Sequence, residues 1–523
     1  MYVTQDTLHV VVPWRADLQQ VIPHARSFVY NNERMLLVPN RHEEAKVARN
    51  LGVPIPAPIL TRYDWRGGTP WDTQKTTSAM LTESPRAYVL NEFGTGKTRS
   101  VIWAADYLRR NQAIGKVLIA APLSTLTPVW ETELFRVIPN ARVKVLHGNK
   151  ETRLERLNTD ADWFIINHHG LALIKDELIK RGFDVVVFDE LATFRNRSTQ
   201  LWKTANEIIQ GGPAYANNPK PKYVWGLTGS PTPKAPTDAW GQVRLLTPER
   251  TTKSLTRFRD LTMRQITSFK WIKRPGAMDI VQEAMQPSVR FALSDVVELP
   301  DTTYQTRVVE LESEARRAYK IMFDKMRVLT NNGETITAVN EGVLQSKLLQ
   351  LALGYIYTDK RGVMKLPNAT RLEVVKEIVE ATSRKVICFV PFIHALEGVA
   401  EYLQKYTTVA VVHGQTPVGA RNKIFRSFME QSEPHTIVAH PGCMSHGLTL
   451  TAANTIVWVG PTNSYETYEQ ANARIVRPGQ VSKTLIVHVV ATPVEKLAYK
   501  RLQERGTFQG MLLELFRQQE LEF

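Results

Sequence analysis

The sequence predicts an α/β protein of two lobes, each built on a parallel sheet, with helical insertions between them and a small β-rich module at the N-terminus. Three observations predict it. Apolar runs such as residues 185–188 (VVVF) are too continuous for a half-exposed strand and suit one buried on both faces. Such runs alternate with helix-like stretches in both halves of the chain, the pattern of a parallel sheet with covering helices. A chain of 523 residues, 43% of them apolar, is long enough to build several cores.

Composition narrows the function classes. Lys and Arg total 66 against 51 Asp and Glu, a net charge of +15 that favours a polyanionic partner such as nucleic acid. The basic residues are dispersed, so a solvated cationic surface is the plainer reading of that charge. Cys388 and Cys443 stand far apart without a Cys/His ligand pattern and read as reduced core residues. No run reaches the roughly 18 apolar residues of a membrane span, and the N-terminus has Asp6 and no basic region preceding an apolar one. The expectation is a cytoplasmic, non-secreted protein that works without a membrane.

In chain order, residues 8–12 alternate weakly, and 26–30 and 35–38 are strand-like around Asn31 and Asn32, two good turn residues. A helical pattern over 43–50 ends at Gly52, and the Pro-rich stretch 53–60 reads as an extended connector. This predicts a β-hairpin module over residues 1–66. Its Arg26, Phe28, Tyr30 and Arg34 suit phosphate contact and base stacking, that is, recognition of DNA structure. A structural cap over the first lobe is the alternative.

Residues 91–98, NEFGTGKT, lie between the apolar run 87–90 and a helix-like stretch 99–110. They read as a phosphate-binding loop of the form G-x-x-x-x-G-K-[ST], with Asn91 in place of the first Gly. Gly94 and Gly96, with Glu92, Phe93 and Thr95 completing the loop, leave backbone N–H groups to face phosphate oxygens at a helix N-terminus. Lys97 then reaches the β- and γ-phosphates and Thr98 holds Mg²⁺ through its hydroxyl. ATP and Mg²⁺ are the expected cofactors. Upstream, the carboxamide of Gln74 can read an adenine edge. A Gly-rich turn and an ordinary helix-start Gln are the plainer readings of these two features.

After the loop helix, a buried-strand run from Lys116 ends in Pro122, Ser124 and Thr125, at the strand edge where ligands bind in such sheets. The run 183–190 ends in two carboxylates. Asp189 suits the Mg²⁺ side and Glu190 the base that activates water, although an acidic strand end can simply cap the next helix. The run 223–231 ends in Thr228, Gly229 and Ser230, small residues beside the inferred γ-phosphate.

The ordered set Gln74, NEFGTGKT, APLST, FDE and LTGSP resembles the first RecA-like lobe of a superfamily 2 helicase, with spacing similar to the Swi/Snf-type branch. The second half supplies the strands such a second lobe needs, at 384–392, 408–414, 435–440 and 454–460. Gly414 and Arg421 resemble the family's G…R spacing, and 444–453 resembles its motif V. The stretch 468–480 resembles motif VI, Q-A-x-x-R-x-H-R-x-G-Q, at Gln470, Ala471, Arg474, Arg477, Gly479 and Gln480. Three residues apart, the two arginines are expected on one helical face.

The resemblance covers about residues 70–500 and implies two RecA-like lobes. Lobe 1 spans 67–290 with a helical insertion about 243–288. Lobe 2 spans 291–523 with an insertion about 311–365 and a C-terminal brace helix from Val494. Residues 287–300, with Arg290, resemble the family's basic segment before lobe 2. In role, Arg474 and Arg477 become the fingers that reach the γ-phosphate. Thr228, Gly229, Ser230 and Gln470 become the coupling residues, and Ser124, Thr125, Asn167, His168, Thr449 and Thr451 the contacts to the DNA backbone.

Departures are visible. Leu191 and Ala192 replace the Ala and His of D-E-A-H, Val476 replaces the His of motif VI, and Thr449 stands where motif V carries Asn. The implied function is a monomeric, ATP-driven DNA translocase or helicase. It would act on duplex, forked or branched DNA without sequence specificity, in replication, recombination or repair, like compact phage and bacterial members of the branch. An RNA-dependent helicase and a non-catalytic nucleic-acid clamp remain the alternatives.

Overall fold

The structure, a computed structural model, describes residues 1–211, 218–266, 271–331, 338–357, 362–444 and 449–504. The chain divides into two compact units, Met1–Val296 and Val297–Phe523. Residues 445–448 of the motif V stretch and 505–523 of the expected brace lie outside the described residues. Among the described residues, no helix is long and apolar enough to cross a membrane.

The first unit opens with an antiparallel sheet of four strands in the order β1-β2-β4-β3: β1 (Tyr2–Val3), β2 (His9–Pro13), β3 (Arg26–Tyr30) and β4 (Glu33–Pro39). The hairpin between β3 and β4 turns on Asn31 and Asn32, both left-handed at φ 48° and 61°, the conformation a two-residue hairpin turn requires and Asn tolerates. Val10, Val12, Leu36 and Val38 from the middle strands pack on Leu18, Ile22, Ala45 and Ala48 of two covering helices. The edge strand β3 leaves Val29 and Tyr30 exposed. The packing boundary of this module falls after Ile55, ahead of the one drawn at residue 66. Ala57, Ile59 and Tyr63 join the next core instead, and Tyr63 donates its hydroxyl to Asp106 at 2.7 Å.

A parallel sheet follows, seven-stranded among the described residues: β5 (Arg86–Val89), β6 (Val117–Ala121), β7 (Val143–Leu146), β8 (Trp163–Asn167), β9 (Val185–Asp189), β10 (Tyr223–Leu227) and, past the short hairpin β11 (Met263–Gln265) and β12 (Trp271–Lys273), β13 (Ser288–Val289). The order is β13-β5-β10-β9-β6-β8-β7 and every pairing is parallel. Successive residues of one strand fall into two separate cores. Val186 and Phe188 enter one; Val185 and Val187 enter the other. Covering helices on both faces therefore demand an apolar residue at each position, which is why these strands read as unbroken apolar runs.

The second unit repeats the plan with a six-stranded parallel sheet: β14 (Thr302–Val308), the hairpin β15 (Tyr355–Tyr357) and β16 (Val363–Lys365) outside the sheet, then β17 (Lys385–Phe389), β18 (Val409–Val412), β19 (Thr436–Ala439), β20 (Ala453–Trp458) and β21 (Thr484–Val490), ordered β14-β21-β20-β17-β19-β18. Both insertions thus carry a short antiparallel hairpin besides their helices. Strands this short give too few residues for a period-two signal, and the sequence showed only the helices.

Two buried polar devices fix the second unit. Arg371 and Glu495, both with buried side chains, form a two-pronged ion pair at 2.9 and 3.1 Å, while Arg371 also donates to the Val459 carbonyl. His488 on β21 stacks on Tyr499, with ring centroids 4.2 Å apart, and meets the Tyr468 hydroxyl at 2.8 Å. Burial pulls the His488 imidazole down to about 4, so the folded protein holds it neutral. As pH falls below the ordinary imidazole value near 6.5, the unfolded chain takes up a proton that the folded chain refuses. Stability is therefore unaffected by this group above that pH and is lost progressively down to about pH 4, by about 3 kcal/mol. Denaturation midpoints measured across this window should fall in the wild type, and less steeply in His488→Gln.

Candidate active site

The C-terminal end of β5 passes into the phosphate-binding loop, which turns into the helix Lys97–Arg110. Gly94 and Gly96 have φ of 85° and 73°, left-handed values that a side chain would strain. A Cβ on Gly96 would also lie 2.1 Å from Nε2 of Gln74. That buried glutamine accepts from the Trp71 N–H at 3.0 Å and donates to the Gly96 carbonyl at 3.4 Å, so it rests on the loop itself. The loop folds around the Lys97 ammonium, which donates to the carbonyls of Asn91 and Glu92 at 2.7 and 2.9 Å and lies over the Phe93 ring. Thr95 ties back to the Glu92 carbonyl at 2.8 Å, and Thr98 sits half-buried on the first helical turn.

Asn91, the departure from the loop pattern, has a physical reason. Its amide donates to Thr77 Oγ1 and accepts the Phe291 N–H, each at 3.1 Å, and Glu92 accepts the Leu293 N–H at 3.0 Å. Residues 287–293 therefore run along β5 and the loop, with β13 extending the sheet, and the compact unit ends at Val296. A glycine at position 91 could not make this bridge. In sequence the segment stands ahead of the second lobe with no sign of this attachment beyond the Asn in a Gly position.

Opposite the loop, β9 delivers Asp189 and Glu190. Asp189 Oδ2 accepts from the buried Trp130 indole at 2.9 Å, and Oδ1 accepts the Glu190 N–H at 3.1 Å. Desolvation pushes the Asp189 carboxyl up, while the indole and the Lys97 charge pull it back toward the ionised form. Lys97 and Asp189 thus face one site. Glu190 is held left-handed at φ 52° and ψ 55°. From β10, Thr228 donates its N–H to the Val89 carbonyl at 3.0 Å, Ser230 donates its own to Thr228 Oγ1 at 3.2 Å, and Gly229 abuts the Phe93 ring, which a Cβ would meet at 3.1 Å.

The residues expected on DNA divide. Ser124 is half-exposed, but Thr125 is buried and returns its hydroxyl to Pro122. Asn167 accepts from Arg153 at 3.1 Å, and His168, 6% exposed, points inward to the Asp189 carbonyl at 2.8 Å. His168 is therefore part of the wall behind the carboxylates.

In the second unit, Arg474 and Arg477 do not share a helical face. The helix Tyr465–Asn472 ends first, and both arginines lie in the turns that follow, which lead into Pro478 and the left-handed Gly479 at φ 95°. Arg474 is buried and donates Nε to the Gln470 carbonyl at 2.7 Å, and its own carbonyl accepts the Leu450 N–H at 2.9 Å. The 449–451 segment and the arginine turn are thereby brought together. Gln470 is buried, Thr449 is exposed and Thr451 half-buried. Burial pulls the Arg477 guanidinium down to about 10, which leaves it cationic at neutral pH. Arg421 folds back on the Thr416 carbonyl beside the turn at Gly414.

A phosphate loop and a carboxylate pair at the C-terminal edge of one parallel sheet define a nucleoside-triphosphate hydrolase lobe. Family models make the class specific: the SNF2-related domain matches residues 75–354, and the Helicase conserved C-terminal domain matches 370–479. The chain belongs to the SNF2-related family of helicase-type ATPases and is an ATP-using enzyme. Protein p41 of Acyrthosiphon pisum secondary endosymbiont phage 1 is 25% identical over 85% of this chain and 98% of its own length. The "DNA annealing helicase and endonuclease ZRANB3" of Bos taurus is 23% identical over 83% of this chain, which spans only 39% of that longer protein. Among solved structures, the Sulfolobus solfataricus SWI2/SNF2 ATPase core in complex with dsDNA aligns at a TM-score of 0.41 and 20% identity, over 87% of this chain and 93% of that one.

The loop geometry gives a direct test. Gly96→Ala adds left-handed strain and displaces the Gln74 amide, and should weaken ATP binding by about tenfold or more. Gly414→Ala, where no atom lies within 4 Å of the added Cβ, should fold and bind ATP as the wild type does. Titration with a fluorescent ATP analogue reads both.

Proposed function

We propose that the protein is a DNA-stimulated ATPase that moves along duplex or branched DNA. The observation that carries this reading is the convergence of Lys97, Asp189 and Glu190 at one sheet edge in a chain of SNF2-related type. In this reading the loop amides of residues 92–96 and the Lys97 ammonium bind the β- and γ-phosphates, and Gln74 contacts the adenine. Glu190 orients and deprotonates the attacking water. Thr98 and Asp189 offer the hydroxyl and carboxylate oxygens that suit Mg²⁺, an ion that usually takes one or two protein ligands together with substrate phosphates. When bound, Mg²⁺ neutralises charge on the phosphates.

Arg474 and Arg477 supply guanidinium charge to the transition state, a contribution of about 10³ to 10⁵ in rate where such fingers act. Thr228, Gly229, Ser230 and Gln470 couple nucleotide state to movement. Ser124, Thr449 and Thr451 hold backbone phosphates, with Thr125, Asn167 and His168 shaping the loops behind them, so base sequence is not read. The net charge of +15 favours such a polyanion. DNA rather than RNA is the substrate, the module around β3 adds contacts at forks or junctions, and the protein acts as a monomer in a bacterial or phage-infected cytoplasm.

Two substitutions separate binding from chemistry. Lys97→Ala should lose both ATP affinity and turnover, whereas Glu190→Gln should bind ATP normally and turn over at least about a hundredfold more slowly. Turnover measured over single-stranded, duplex, forked and four-way DNA and over RNA tests the partner. Stimulation by RNA alone, or by no nucleic acid, would contradict the proposal, as would near wild-type turnover in Glu190→Gln.

A further inference from the structure

We propose that Trp130 and His168 are positioning residues that tie the two loops nearest the DNA to the hydrolytic carboxylates; this rests on the reading of Asp189, Glu190 and the DNA-side loops given above. The peptide unit between Asp189 and Glu190 is gripped at both ends. Its carbonyl oxygen lies 2.8 Å from Nε2 of His168, and its N–H donates to Asp189 Oδ1 at 3.1 Å. A carbonyl can only accept, so Nε2 carries the proton. The other oxygen of the same carboxylate accepts the Trp130 indole N–H at 2.9 Å.

Orientation of that peptide sets where Glu190 points. Glu190 is not glycine, yet it is left-handed at φ 52°. Such a conformation costs about 1–3 kcal/mol and persists only where surrounding contacts determine it. The contacts that hold it include the His168 donor, the Asp189 carboxylate and the Thr193 N–H, which donates to the Glu190 carbonyl at 2.9 Å.

The two donors come from the segments that follow two separate strands. Trp130 sits on the π-helical turn Leu126–Glu131, directly after Ser124 and Thr125 at the end of β6. His168 follows Asn167 at the end of β8, its ring edge on Phe194 with centroids 5.2 Å apart. π-Turns are rare and concentrate at functional sites. Trp130 is fully buried and His168 nearly so, which makes each a rigid strut between loop and carboxylate. Position 192, where the related pattern places His, is a buried Ala with no side-chain donor to offer. An imidazole from β8 reaches the same peptide from outside the carboxylate motif.

The full-length protein and three variants test this. Trp130→Phe keeps an aromatic ring and removes the donor; His168→Ala removes the donor; His168→Gln restores an N–H as many bonds from Cα as Nε2 is. Melting temperature, affinity for a fluorescent ATP analogue and affinity for duplex DNA are measured beside turnover. Trp130→Phe and His168→Ala should keep affinity for the ATP analogue within about twofold and, at saturating duplex DNA, lose about tenfold or more of stimulated turnover, a larger factor than the loss of basal turnover. His168→Gln should recover most of the loss, and the double variant should fall by less than the product of the single effects, since both donors act on one residue.

Unchanged turnover in Trp130→Phe and His168→Ala would overturn the proposal. So would equal loss of basal and stimulated turnover, or loss that follows melting temperature without rescue by Gln. A wild type that ignores DNA would refute the DNA reading alone; basal turnover of the same variants would still decide whether the two donors position Glu190.

Discussion

The site depends on one constraint: parallel strands in a sheet deliver their C-terminal ends to the same edge. In the first unit, β5, β6, β8, β9 and β10 therefore bring the phosphate loop, Ser124, Asn167, Asp189 and Thr228 to one rim, although these residues are scattered over much of the chain. Register fixes the spacing. Leu227 lies beside both Val89 and Asp189, so the ends of β5, β10 and β9 are level with one another. The sheet can hold that register because each central strand is locked between two cores, and a slip of one residue would exchange the residues of the two faces.

Electrostatics then works on what the sheet has placed. Desolvation opposes ionisation of Asp189, and Lys97, the Trp130 indole and the Glu190 amide counter it. The Lys97 ammonium is held by loop carbonyls instead of being left to solvent, so the loop and its cation form one preorganised unit. Asn91 and Glu92 extend this unit to residues 291–293, just before the compact unit ends. The left-handed Glu190 and the π-turn at Trp130 are the irregular points of the scaffold, and both adjoin the carboxylates.

Much of this was legible in the sequence. Unbroken apolar runs gave the two parallel sheets, and the placement of Lys97, Asp189 and Glu190 at or just past strand ends of the first sheet was readable because an apolar run ends ahead of each. The hairpin turn at Asn31 and Asn32 was readable for an equally local reason. What escaped depends on contacts distant in sequence. Nothing near His168 says that its ring turns inward to Asp189, and nothing near Trp130 says that its indole meets a carboxylate on another strand. The arginines at 474 and 477 looked helical because spacing alone fits a helix, but the helix ends at Asn472, ahead of both, and the chain turns on toward Pro478 and the left-handed Gly479. The start of the first lobe's core at Ala57 was hidden by the Pro-rich composition of the connector.

In the function proposed, ATP hydrolysis at this sheet edge moves the protein along duplex DNA. Displacement of a labelled triplex-forming strand from a duplex, followed over time, measures this most directly. Wild-type protein with ATP and Mg²⁺ should release the strand, with release abolished by Glu190→Gln and by a non-hydrolysable ATP analogue. ATP turnover by the wild type without any strand release, on duplexes long enough to load the protein, would contradict it.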